Sequence, residues 1–190
     1  MAEPAFQMDA ERSTQIDQFV ARIEPFLDAM LADMKYVGSV PRTPETSAPQ
    51  DRANIRTFFV VLDALSNFLR SQALFLHHLG WKGLDPKLLK ELEPAARLTL
   101  RDNVKVSLRA LAALRNPRLP PLDLGQSAGW ARLMEVETVR DRITHPKTAN
   151  DLIVSTPECI AFNEAVLWYF RILLDCLALP RPSFLGTAPP

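Results

Sequence analysis

Histidine, cysteine and glycine are scarce in this chain of 190 residues, with three, two and six copies respectively. Three histidines leave no room for a histidine-rich metal centre. Two of them, His77 and His78, are neighbours on a helical stretch, about 100° apart around the axis, so they point in different directions and do not readily share one ion. The cysteines, Cys159 and Cys176, fall on what reads as one helix. At 1.5 Å per residue they are about 25 Å apart, too far for an internal disulfide. Reduced thiols are therefore expected, which fits a reducing compartment. The glycines build no phosphate cradle. GxGxxG and P-loop patterns are absent, as are CxxC, HExxH and GxSxG, so no cofactor or metal is expected. Excess charge of either sign is missing too: 22 basic residues balance 22 acidic ones. Any nucleic-acid binding must then come from a local basic patch. No run approaches 18 uncharged apolar residues, which argues against a membrane span. The opening MAEPAFQMDAERST has neither the basic head nor the apolar run of a signal peptide. A cytoplasmic protein is expected.

What is present is helical periodicity punctuated by 16 prolines. Apolar residues make up 47% and charged residues 23%, ordinary for a globular chain. A domain of this length buries roughly 70% of its unfolded surface. Phe19, Ile23, Phe26, Leu27, Met30 and Met34 form one stripe at steps of three and four, predicting a first helix. Pro25 lies inside it and predicts a kink or a break. The stretch SVPRTPETSAPQ, ending at Gln50, reads as a loop. A second helix is expected from about Asp51 to about Leu79, so apolar on all sides that it belongs at a bundle centre or a subunit interface. Asp85-Pro86 opens a short helix. A longer one follows, roughly Ala95 to Arg115, with Arg97, Arg101, Lys105 and Arg109 in a slanting ladder beside its core face. After a loop at 116–126, Ser127 caps a helix that must end at or beside His145, because Pro146 disfavours helical geometry there. Ser155-Thr156-Pro157-Glu158 starts a last helix that ends before Pro180. The expected fold is all-α, a bundle of four to five main helices in a single domain over 1–180, with loops near 38–50 and 116–127 and a loose tail at 181–190.

Chemistry concentrates in Arg140 to Lys147, which reads RDRITHPK. Four positively ionisable groups cluster at a helix C-terminus. One explanation is helix electrostatics, in which cations offset the negative dipole end by ~0.3–1 kcal/mol each. The other is a site. Arg140, four intervening residues and His145, with polar Asp141 directly after the arginine, resemble the arginine–histidine motif of the HEPN superfamily. The likeness extends over the last third of the chain, from the helix bearing Trp130 to the aromatic-rich helix through Tyr169. It implies an all-helical HEPN-like bundle and a metal-independent endoribonuclease of toxin or defence type. RNA would be the substrate, the active form a homodimer, and a separate antitoxin protein a partner.

The residue types suit that chemistry. When a 2′-hydroxyl attacks its own phosphate, a group must move protons near neutral pH, and histidine titrates at ~6.5 in its unperturbed state. Arginine is always charged and forks onto phosphate oxygens, which suits Arg140. Asp141, four residues before His145, would lie beneath it and orient the imidazole. Arg142 and Lys147 would bind RNA beside the site, and Arg97, Arg101, Lys105 and Arg109 would extend the track. The alternative is a HEPN-like module that binds a nucleotide or a protein without catalysis.

Overall fold

A computed structural model describes residues 10–41, 43–115 and 122–177, and the periodicities resolve there into six α-helices. These are α1 (Ala10–Ser39), α2 (Pro44–His78), α3 (Pro86–Leu92), α4 (Leu100–Arg115), α5 (Ala128–Thr144) and α6 (Thr156–Leu177). A single 3-10 turn, Ala149–Leu152, sits between α5 and α6, and no strand occurs among the described residues. The architecture is an all-α bundle. The expected tail at 181–190 and the first half of the loop near 116–127 lie outside the described residues.

The expected loop near 38–50 is a correction. It shrinks to a short link, because α2 begins at Pro44. Thr43 is its N-cap: the Thr43 hydroxyl accepts from the Thr46 amide at 3.2 Å, and the Thr46 hydroxyl accepts from the Thr43 amide at 2.8 Å. This reciprocal pair satisfies two donors that would otherwise be orphaned. Pro44 occupies a first-turn position where the missing N–H costs nothing. Gln50 then binds the end of α1, its amide donating to the carbonyls of Val37 at 3.1 Å and Val40 at 2.9 Å. At Pro25, the expected place of a kink or a break, no break occurs and α1 runs through it. Pro25 and Ala21, whose carbonyl loses its partner, both lie on the exposed face. And α4 starts at Leu100, because the Thr99 hydroxyl accepts from the Asp102 amide at 3.2 Å and caps the helix there.

The second helix is the core of the bundle. α2 packs against α1, α3, α4, α5 and α6. Ile55, Phe58, Leu62, Leu65, Leu69 and Ala73 are buried along it. They meet Val104 and Leu108 of α4, Leu133, Val136 and Ile143 of α5, and Tyr169 and Leu173 of α6 in one cluster. Each large side chain so buried contributes roughly 1.5–3 kcal/mol of apolar transfer. An 18-residue window of α2 reaches a mean hydropathy of 1.3, enough by length and composition to cross a membrane, yet half of that window is buried within the bundle. Burial in the bundle accounts for the half of that window it covers.

The register of α5 on α6 is set by a glycine. A β-carbon on Gly129 would stand 2.0 Å from Cγ of Trp168, so only glycine lets that indole lie against the start of α5. Trp130 meets the same ring edge-on, with centroids 6.1 Å apart. α5 carries Arg140 to Thr144 at its far end, so this contact helps to place the chemistry-bearing segment.

Candidate functional site

The segment is built by the way α5 stops. Ser127 caps its start, accepting from the Trp130 amide at 3.1 Å, and the helix runs to Thr144. His145 is the C-cap, with φ −123° and ψ 59°, and its amide still donates to the Asp141 carbonyl at 3.0 Å. Pro146 then prevents another turn. The helix ends where the sequence places it. The chain leaves through an exposed connector, 145–150, and returns at the 3-10 turn.

Because little apolar surface holds this connector, polar contacts do. The Asp151 carboxylate accepts from the amides of Lys147 at 2.8 Å and Thr148 at 2.7 Å, and from the Thr148 hydroxyl at 3.1 Å. The two backbone donors, Thr148 first, are the main reason its pKa lies below the ordinary value. Glu158 caps α6 by accepting from the Ser155 amide at 2.7 Å and hydroxyl at 3.0 Å. Partial burial pushes the Glu158 carboxyl up, but the Ser155 hydrogen bonds and the Arg142 charge outweigh it, and the group lies below its usual range.

Arg142 joins these pieces. It donates to the carbonyls of Asp151 at 2.9 Å and Ile153 at 2.8 Å, and to the Glu158 carboxylate at 2.6 Å. Two arginines of α2 add to this from below. Arg52 donates to the Leu152 carbonyl at 3.0 Å, and Arg56 donates to the carbonyl of Ile143, in the last turn of α5. Neither was singled out by the sequence. Their only signal is a spacing of four on one face of α2, and their acceptors are backbone carbonyls, which carry no residue identity.

His145 and Arg140 are treated differently by the fold. The His145 side chain is exposed, and no hydrogen bond engages it among the described residues. It lines an open depression of about 540 Å³ together with Asp141, Arg142, Lys147 and Asp151. Arg140 is not part of that lining. Its side chain is 28% exposed, its Nη1 lies 3.0 Å from the Asp141 carboxylate, and its guanidinium stands 5.1 Å over the ring of Phe59. Its Nε is buried without a hydrogen-bond partner. Asp141 therefore touches the arginine and shares the depression with the histidine. Among the described residues, no hydrogen bond joins it to the imidazole.

Three of the four cations of the basic ladder are pinned to their surroundings. Arg97 precedes α4 and is exposed. Arg101 pairs through Nε with Glu137 of α5, the ammonium of Lys105 stands 4.6 Å over the Trp130 ring, and Arg109 donates to the Leu122 carbonyl at 3.3 Å. These three side chains fasten α4 to α5 and its lead-in. No group of three or more histidine, cysteine or acidic side chains gathers to hold a metal ion among the described residues.

The chain matches no protein-family model, no curated protein and no solved structure.

Proposed function

We propose that the chain is a metal-independent endoribonuclease of HEPN type, in which His145 moves protons and Arg140 stabilises charge on the phosphate. The observation that carries this reading is the solvent-open imidazole of His145, in a depression that also holds Asp141 and Lys147. Arg140 lies just over one helical turn earlier on α5. Phe59 and Asp141 orient its guanidinium before any substrate arrives. An all-helical bundle is the architecture that the sequence resemblance implies.

The 2′-oxygen of the RNA attacks the adjacent phosphorus as His145 accepts its proton. The bond to the 5′-oxygen breaks, and that oxygen leaves with a proton from a second acid. The products are a 2′,3′-cyclic phosphate and a 5′-hydroxyl. One arginine–histidine pair supplies one proton-transfer group, so the second is assigned to another copy of the motif in a homodimer. Arg140 offsets charge on the pentavalent phosphate, for which the substrate competes with Asp141. Lys147 adds a phosphate contact. In the same reading the protein is a cytoplasmic toxin or defence effector, held in check by a separate antitoxin protein.

A second reading has one observation in its favour: Arg140 is ion-paired within its own chain and does not line the depression. It describes a non-catalytic module that holds a nucleotide or a protein. The two separate on the chemistry of the ends. Incubating the purified protein with RNA in EDTA yields cyclic-phosphate termini under the first reading. Intact RNA together with a calorimetric nucleotide-binding signal supports the second.

A further inference from the structure

We propose that Arg142 is a positioning residue: it closes the connector that carries His145 into a fixed loop and does not bind RNA phosphate. The inference rests on the reading of His145 as the proton-transfer group, and it reassigns a cation that sequence alone places on the substrate.

The geometry begins with what the connector lacks. Residues 145–150 are all exposed, so burial contributes little to their order. Asp151 closes the loop internally through the Lys147 and Thr148 amides, but that contact does not anchor it to the bundle. Arg142 does, beside the Arg52 contact to the Leu152 carbonyl at 3.0 Å. Arg142 sits three residues before His145, on the same face of α5, and reaches across to the chain beyond it. Its Nη1 holds the carbonyls of Asp151 and Ile153, and its Nη2 holds Glu158. One planar guanidinium thus ties both ends of the loop, with His145 between them, to the start of α6. Glu158 is itself fixed by the Ser155 amide and hydroxyl, so the anchor does not swing.

The same contacts argue against a phosphate role. Three of the five donors of Arg142 are committed, and its charge is matched by a carboxylate at 2.6 Å. A phosphate would have to compete with the Glu158 carboxylate for that charge. A lysine cannot replace the brace, since an ammonium on a flexible stem does not present the fixed fork that spans two carbonyls and a carboxylate.

The test uses the full chain with Arg142→Gln, Arg142→Lys and Glu158→Gln, read in two ways. The first is amide exchange by NMR at Lys147, Thr148 and Ile153. Both Arg142 variants are expected to speed exchange there about tenfold or more while amides of α2 and α4 keep their protection, with a smaller change in the same direction for Glu158→Gln. The second is RNA cleavage. kcat is expected to fall about tenfold to a hundredfold, with KM within about twofold and an unchanged salt dependence of RNA binding. Unchanged exchange in both Arg142 variants overturns the proposal. So does a raised KM at constant kcat with a salt slope shallower by about one, the signature of a lost phosphate contact. If Arg142→Gln does not fold, Arg142→Lys carries both measurements. If the wild-type protein cuts no RNA, the nuclease reading fails on its own, and the exchange data still decide whether Arg142 braces the loop.

Discussion

Replacing Gly129 with alanine tests the placement of α5 on α6, on which the candidate site depends. The added β-carbon would lie 2.0, 2.2 and 2.6 Å from Cγ, Cδ1 and Cβ of Trp168. Carbon atoms in favourable contact sit about 3.5–4.0 Å apart, so roughly 1.5 Å of displacement is required at the nearest atom. Rotating the indole does not suffice, because the Trp168 β-carbon is itself within the clash. The two helices must separate, or α6 must turn. Overpacking of this kind costs about 1–3 kcal/mol, and a shift of backbone belongs at the upper end or beyond. Alanine returns about 1 kcal/mol through helix propensity. The net expectation is a loss of about 2 kcal/mol. At roughly 2–4 °C per kcal/mol for a chain of this size, the melting temperature falls by about 4–8 °C. Urea unfolding followed by circular dichroism and by tryptophan fluorescence reads the change. A variant that gains about 1 kcal/mol, as an open helical glycine would, refutes the α5–α6 packing described here.

Two further outcomes follow from the contacts around the site. Arg101→Gln leaves Glu137, whose side chain is only 11% exposed, without its ion partner; stability should fall by about 1–2 kcal/mol, a value reduced because Arg101 itself is half exposed. Unchanged stability with weakened RNA binding would return Arg101 to the substrate track. The Glu158 carboxyl is held below its ordinary value of 4.5, so its contribution is complete above that pH and is lost as pH falls through the lower folded value. The amide resonance of Ser155, which donates to that carboxylate, should therefore titrate below pH 4.5, and titration at or above that value would contradict the cap geometry.

The parts of the molecule that could be read in advance are those whose cause is local. Ser127, Pro146 and the Ser155–Glu158 box act within a few residues, and the ends of α5 and the start of α6 fall where they dictate. The start of α2 depends on equally local chemistry, but it was hidden. Thr43 and Thr46 form a capping pair without the usual glutamate, and the surrounding prolines and hydroxyls look like loop although Pro44 is a helix opener. The cations were the least legible. Their spacing placed Arg101, Lys105 and Arg109 on one face, yet their partners Glu137, Trp130 and the Leu122 carbonyl are tertiary neighbours that no local pattern names. The same holds for Arg142, whose cluster with His145 suggested a shared ligand, whereas its donors close on the protein's own backbone.

The claim on which the functional account turns is that the exposed imidazole of His145 carries the chemistry. The most direct measurement is the single-turnover rate of RNA cleavage in EDTA for the wild-type protein and for His145→Ala, with matched circular dichroism to show that both are folded. Removal of a general base or acid costs typically 10²–10⁴-fold, so the variant should lose at least about a hundredfold in rate while its helical content and melting temperature stay unchanged, as expected for an exposed side chain. Cleavage by His145→Ala at the wild-type rate would contradict the account.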